Sequence, residues 1–318
     1  MSVEAPRARR GPLAWAGVVG RGGAMGIAEL VPGVSGGTIA FVTGIYLELV
    51  GAIRAVDGAF LRLLLRGRVA EAGRHVNAGF LLALAVGMSA AVVGLASTIE
   101  WLLRAHEILL WAFFFGLILA SVVHVARHVA PWNLETAAFG ILGVVLGLVL
   151  SSTTGLPVVE HPAVTFAAGA VAVCAWILPG VSGSFMLLLL GQYPRVIRAL
   201  AELDLSLLTV LAAGCVTGLL LFSRLLSWLL RHHYRATLAL LCGFMAGSLQ
   251  KLWPWRQTLS YYLDADGEAV PVLVTPVSPT LFQEMYGEDP LVAGAVLALC
   301  AGLAVVALLD RLARGRGA

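Results

Sequence analysis

One phrase, written twice, constrains this chain more than anything else in it. Val31-Pro32-Gly33-Val34-Ser35-Gly36-Gly37, followed by Gly44-Ile45-Tyr46, returns as Leu178-Pro179-Gly180-Val181-Ser182-Gly183-Ser184, followed by Gly191-Gln192-Tyr193. Pro, Gly, Val, Ser, Gly, Gly and Tyr recur at a constant offset of 147 residues. Both copies interrupt long apolar stretches, and Pro and Gly are the residues that break helices. Backbone stripped of its helical hydrogen bonds is costly in hydrocarbon, so such a break must be buried in protein or line a cavity. A matched pair of breaks in two halves of a membrane chain marks the binding site of a transporter.

Composition supports the membrane setting. Of 318 residues 59% are hydrophobic and 12% charged, with a mean hydropathy of +0.91. A soluble domain carries about 25% charged residues. The net charge of +3 is too small to argue for nucleic acid. The sequence predicts an all-α polytopic membrane protein forming one integral domain over residues 1–318. Residues 13–53 form a re-entrant helical hairpin with its tip at 32–37, because neither leg reaches the roughly 20 residues of a comfortable span. Crossings follow at about 78–99, 108–127 and 136–153. A second hairpin over 163–200 precedes crossings at about 207–230, 236–254 and 290–310. Each unit, 13–153 and 163–310, is thus a hairpin plus three crossings. Three is odd, so the second unit enters from the opposite side and the repeat has inverted topology. Arg7, Arg9 and Arg10 precede an apolar run that Arg21 interrupts, which reads as an uncleaved first membrane segment rather than a signal peptide.

Arginine placement tests that layout. Residues 1–12, 54–77, 127–135, 231–235 and 311–318 share one side and hold 14 of the 21 basic residues. Positive-inside bias makes that side cytoplasmic, with both termini inside a bacterial or archaeal cytoplasmic membrane. The polar stretch 255–289 is then extracytoplasmic, with Asp264, Asp266, Glu268, Glu284, Glu288 and Asp289. A short strand is expected at its Val272-Leu273-Val274.

A helix restarts after each break. Ser35 and Ser182 are natural N-caps, and Gly36, Gly37, Thr38, Gly183 and Ser184 would present free backbone N–H groups. Such an end binds anions through its amides and dipole. Two opposed starts predict a phosphate or carboxylate site near mid-membrane, against the alternative of an architectural kink. Ionisable residues inside apolar stretches are expensive. Arg21 and Arg224 are candidates to hold the anion, since arginine forks onto phosphate, and Glu29 is a candidate counter-ion or proton carrier. The alternative for Arg21 and Arg224 is snorkelling to the interface, which is favoured for Glu48; for His124 a structural role is likewise favoured. Lys251, Arg195 and Arg198, with Arg256, are candidates for headgroup docking at the outer face, or solvated helix ends. Tyr46 and Tyr193, closing the two hairpins at matched positions, read first as interfacial belt residues, with lining of the lipid path as the alternative.

No cofactor or metal is implied. Cys174, Cys215, Cys242 and Cys300 lack metal spacing and read as small buried hydrophobes. Lys251 is the only lysine and Leu252 follows it, so there is no P-loop GxxxxGK[ST]. HExxH is absent, Val-Ser-Gly is not a GxSxG elbow, and no catalytic triad offers itself.

Gly22 to Tyr46, Phe113-Phe114-Phe115-Gly116-Leu117-Ile118-Leu119-Ala120-Ser121, LPGVSGSFMLLLLGQY at 178–193 and CGFMAGSLQKLWPW at 242–255 resemble the PopT-type polyprenyl-phosphate transporter family, formerly a family of unknown function. The likeness spans nearly the whole chain. Family members usually carry Asp just before the first VPG region, where this chain keeps a carboxylate as Glu29. The resemblance implies recycling of undecaprenyl phosphate, or a related polyprenyl phosphate, from the outer to the inner leaflet. Its partners would be that lipid and the surrounding membrane. The alternatives are a small-anion transporter or channel using the same pocket, and a membrane enzyme such as a lipid phosphatase.

Overall fold

The computed structural model describes residues 10–31, 34–153, 159–263 and 269–314. Pro32 and Gly33 of the first copy, and Asp264, Asp266 and Glu268 of the polar stretch, lie outside the described residues. The first half runs α1 (Pro12–Leu30), α2 (Gly36–Val42), α3 (Tyr46–Arg54), α4 (Gly58–Leu65), α5 (Val69–His75), α6 (Ala78–Ala105), α7 (Glu107–Val129) and α8 (Leu134–Ser152). The second runs α9 (Pro162–Ile177), α10 (Gly183–Leu189), α11 (Tyr193–Ala201), α12 (Leu205–His232) and α13 (Tyr234–Ser248), then a 3₁₀ turn at Leu249–Leu252. An antiparallel hairpin of β1 (Arg256–Leu263) and β2 (Ala269–Pro276) follows, then α14 (Pro279–Tyr286) and α15 (Val292–Arg314).

Four helices, α6, α7, α8 and α12, are long and apolar enough to cross a membrane among the described residues. Large apolar side chains face outward along them, including Val86 and Val93 on α6, Ile141 and Val149 on α8 and Leu221 on α12. Those faces suit lipid and not water. The chain is a multi-pass α-helical membrane protein. The expected crossing at 236–254 is instead the 15-residue α13 capped by the 3₁₀ turn.

The stretch after each break is also more broken than the sequence suggested. α2 and α3 meet at a 118° bend. Gly44 makes it, at φ +74°, with Ile45 N–H donating to Ala40 O at 3.0 Å. Gly191 does the same after α10, at φ +66°, with Gln192 N–H donating to Leu187 O at 2.9 Å. The trailing glycine of each phrase is therefore the left-handed residue that closes a short helix.

Packing follows a matched scheme. α1 lies along α6 and α9 along α12, while α7 lies along α15 and α13 along α8. Small residues allow close approach. A Cβ on Gly22 would sit 2.4 Å from Leu84 O, and one on Gly169 2.5 Å from Leu211 O. The same holds across α7–α15 and α13–α8, where a Cβ on Gly116 would meet Leu299 O and one on Gly243 would meet Gly140 O. α7 and α13 touch and run antiparallel. Arg235 Nε, at the start of α13, donates to Val129 O at the end of α7 (3.0 Å), while Arg256, beyond the end of α13, pairs with Glu107 at the start of α7. Val18, Met25, Phe80, Ile118, Ile177, Leu226 and Met245 bring both halves into one core.

The expected strand at Val272-Leu273-Val274 is part of β2; β1, its partner, gave no comparable signal. Trp253 Nε1 donates to Val277 O and Trp255 Nε1 to Pro290 O, both at 2.8 Å, fastening the hairpin to the bundle end.

Candidate functional site

The two breaks meet. Gly180 N–H donates to Thr38 Oγ1 at 2.9 Å, and Ser35 Oγ lies 3.3 Å from the carbonyls of Trp176 and Leu178. Gly37 allows this, since a Cβ there would stand 2.6 Å from Ile177 O. Ser35, Thr38 and Ser182 are buried, as are Gly36, Gly37 and Gly183.

The phrases match, but their amides do not. At the first break Gly36 N–H donates to Glu29 Oε1 (2.7 Å), Gly37 N–H to Ser35 Oγ (3.1 Å) and Thr38 N–H to Ser35 O (3.0 Å). Every amide expected to hold an anion there is already taken. Glu29, expected as a counter-ion or proton carrier, caps α2, and its carboxylate also interacts with the Trp176 side chain. At the second break, among the described residues, no acceptor meets the amides of Gly183, Ser184 and Phe185. Ser182 stands at the N-cap position, yet its hydroxyl bonds Ser184 Oγ (2.7 Å) instead of an amide of α10. Ser184 is exposed.

Lys251 completes the second break. Its Nζ is buried without a hydrogen-bond partner among the described residues and sits over the Phe185 ring. It lines a narrow cavity with Gly180, Ser182, Ser248, Gly147 and Ser151. At about 10 Å³ that cavity has room for about one water. A buried, unpaired amine is costly, so something must repay it when the site is in use. Lys251 was expected only as a docking residue at the surface. It sits in the 3₁₀ turn that caps α13, three residues after Ser248, and the end of α13 packs on the second break, where a Cβ on Gly180 would lie 2.9 Å from Ser248 Oγ.

The other basic candidates stand elsewhere. Arg224 is exposed, and Nη1 and Nη2 donate to Leu220 O (2.8 Å) and Val56 O (2.9 Å), tying α12 to the α3–α4 junction rather than to either break. Arg21 is half-buried on α1, more than two turns before Glu29. Arg195 bonds Gln192 Oε1 (3.0 Å), Thr165 Oγ1 (3.3 Å) and Val159 O (3.3 Å), bracing α11 against α9, and Arg198 is exposed. Glu48 joins Arg10 (2.5 Å) and Asn77 (2.7 Å), so it ties the start of α1 and of α6 to α3. Arg256 pairs with Glu107 and lies over Trp111.

A polytopic α-helical protein with two glycine-rich helix breaks in mutual contact, one opening on a buried lysine, has the build of a membrane transporter. The model of the undecaprenyl phosphate translocase-like family matches residues 25–270. The chain is 41% identical over 293 residues to the polyprenyl-phosphate transporter of Vibrio cholerae, covering 92% of this chain and 95% of that one. It is 31% identical over 261 residues to the polyprenyl-phosphate transporter of Staphylococcus aureus, covering 75% and 86%. The chain belongs to the undecaprenyl phosphate translocase-like family. No solved structure matches it.

Proposed function

We propose that this protein moves undecaprenyl phosphate, or a related polyprenyl phosphate, from the outer to the inner leaflet of the cytoplasmic membrane, with both termini cytoplasmic. The family and the names of its relatives support the substrate. The observation that carries the mechanism is Lys251, a buried amine without a partner beside three unmet amides. A phosphate there would meet an ammonium, the Ser182 and Ser184 hydroxyls and the N–H groups of Gly183, Ser184 and Phe185, replacing water that hydrocarbon cannot supply. The polyprenyl tail stays in lipid while the head is carried through protein.

The units 13–153 and 163–310 act as an inverted-topology repeat, each opening with a re-entrant hairpin. The antiparallel run of α7 and α13 supports this, as do the matched helix pairs and their matching glycine contacts. Gly36 and Gly37 hold the breaks together, and Glu29 closes the first one, so the second carries the phosphate. Arg21 and Arg224 act as interfacial or bracing residues, and Arg195 and Arg198 lie at the outer rim. No step needs a cofactor or bond cleavage.

The test is depletion with readout of carrier lipid on the outer surface. Loss of the protein, in cells without a second transporter, strands polyprenyl phosphate outside and sensitises them to agents that bind it there; Lys251→Gln does not rescue. Unchanged surface lipid on depletion would overturn the substrate, and full rescue by Lys251→Gln would overturn the site. A small-anion transporter, the other reading, would move inorganic phosphate into vesicles free of polyprenyl lipid.

A further inference from the structure

A cavity that carries positive charge lies at the other end of α7 and α13 from Lys251. It lies between α7 and α15, with a volume of about 430 Å³. Ala120, Val123, Leu303, Val306 and Ala307 form its apolar walls, and His124, Arg127 and Arg311 supply its polar lining. Among the described residues none of the lining side chains is acidic. Arg127 and Arg311 are exposed, and the His124 ring stacks on His128 with centroids 4.7 Å apart.

Its position in the fold is not arbitrary. Gly116, Ser121 and His124 on α7 correspond to Gly243 and Ser248 on α13 and to Lys251 in the 3₁₀ turn that follows it, each at an offset of 127 residues. Both glycines make the same close contact with the neighbouring helix, and Ser121 and Ser248 both return their hydroxyl to a backbone carbonyl of their own helix. The α7–α15 seam is thus the counterpart of the α13–α8 seam that Lys251 lines, with His124 in the place of Lys251. Because α7 and α13 run antiparallel, the two seams open toward opposite ends of the bundle. One is nearly closed at about 10 Å³, while the other is as large as an ordinary ligand pocket.

We propose that the α7–α15 seam is a second headgroup station for the transported phosphate-headed lipid, on the cytoplasmic side, with Arg127 and Arg311 receiving the phosphate and the apolar walls receiving the first part of the tail. This deepens the proposed function and rests on it. The charge and shape fit that ligand class: two guanidiniums fork onto a phosphate, and an apolar trough open to the membrane accepts a chain. An ordinary anionic phospholipid or free phosphate shares the headgroup chemistry, so the test must separate them.

The experiment places a photo-crosslinking residue at Val123 in one preparation and at Leu150, beside the Lys251 cavity, in another. The intact protein in vesicles receives labelled undecaprenyl phosphate. Labelling at 123 is expected, displaced by unlabelled undecaprenyl phosphate but not by equal phosphatidylglycerol or by inorganic phosphate. R127Q/R311Q is expected to lower it about ten-fold, with size-exclusion elution unchanged and labelling at 150 retained. Labelling at 150 without labelling at 123 overturns the second station and leaves the proposed function standing. Equal displacement by phosphatidylglycerol or phosphate, or labelling indifferent to R127Q/R311Q, also overturns it. Absence of labelling at both positions overturns the proposed function itself.

Discussion

The two helix breaks share a phrase and differ in everything the phrase was expected to do. At the first, Glu29 occupies the Gly36 amide and Ser35 the Gly37 amide, and Ser35, Gly36, Gly37 and Thr38 are buried. At the second, Trp176 stands at the position equivalent to Glu29, an indole that accepts no hydrogen bond. Among the described residues the amides of Gly183, Ser184 and Phe185 meet no acceptor, and Ser184 reaches the surface. One carboxylate, present in one copy only, occupies an amide at the first break that has no such partner at the second. The same phrase therefore yields one end whose amides are taken and one whose first amides meet no acceptor among the described residues.

Gly37→Leu breaks the comparison most severely. Its side chain has no room beside the Ile177 and Trp176 carbonyls, so the contact between breaks opens at about 3 kcal/mol. Folded protein in detergent and transport are both expected to fall sharply; normal yield with normal transport would show that the breaks need not touch. Lys251→Gln should separate function from stability. Transport falls about ten-fold or more, as for a lost charge-assisted contact, while the melting temperature holds or rises because a buried unpaired amine is gone. A matching fall in melting temperature would make Lys251 a structural residue.

Glu29→Gln sharpens the first break. The amide oxygen still accepts from Gly36, but the bond loses its charge, at about 1 kcal/mol. A lower melting temperature with polyprenyl-phosphate binding within about two-fold is expected; loss of binding with stability intact would return Glu29 to the ligand. Asp57 offers a smaller effect, in the segment between α3 and α6 that the second half lacks. Its carboxylate accepts from Phe60 and Ala59 N–H (both 2.9 Å) and sits 3.1 Å from His75 Nε2. Those partners, the Phe60 amide foremost, hold its pKa below the usual carboxylate range. The folded pKa is depressed, so the stabilisation is present above about pH 4 and is lost as pH falls through the lowered value. Asp57→Ala should lower stability by about 1 kcal/mol or less near pH 7, with the gap to the parent closing in acid. Arg224→Gln is expected to do least, leaving transport within about two-fold, because its hydrogen bonds go to Leu220 and Val56.

The sequence by itself determined the membrane setting, the helical class, the position of both breaks and the family. These rest on hydropathy, on Pro and Gly, and on motifs that are local in the chain. It also placed Ser35 correctly as a cap, because a cap reaches only two residues along. Tertiary structure decided which break keeps free amides among the described residues and which basic residue lies beside it. Glu29 meets Gly36 from seven residues earlier in the chain, Gly180 meets Thr38 across 142 residues, and Lys251 meets Phe185 only because the end of α13 packs on the second break. The α7–α15 and α13–α8 pairs likewise join opposite halves. Apolar periodicity says that a helix has a face to bury but not which helix will cover it, because hydrophobic burial is non-directional. The identity of the partner is settled by the close fit of backbones at Gly116, Gly243 and Gly37, and that fit exists only once both halves are in place.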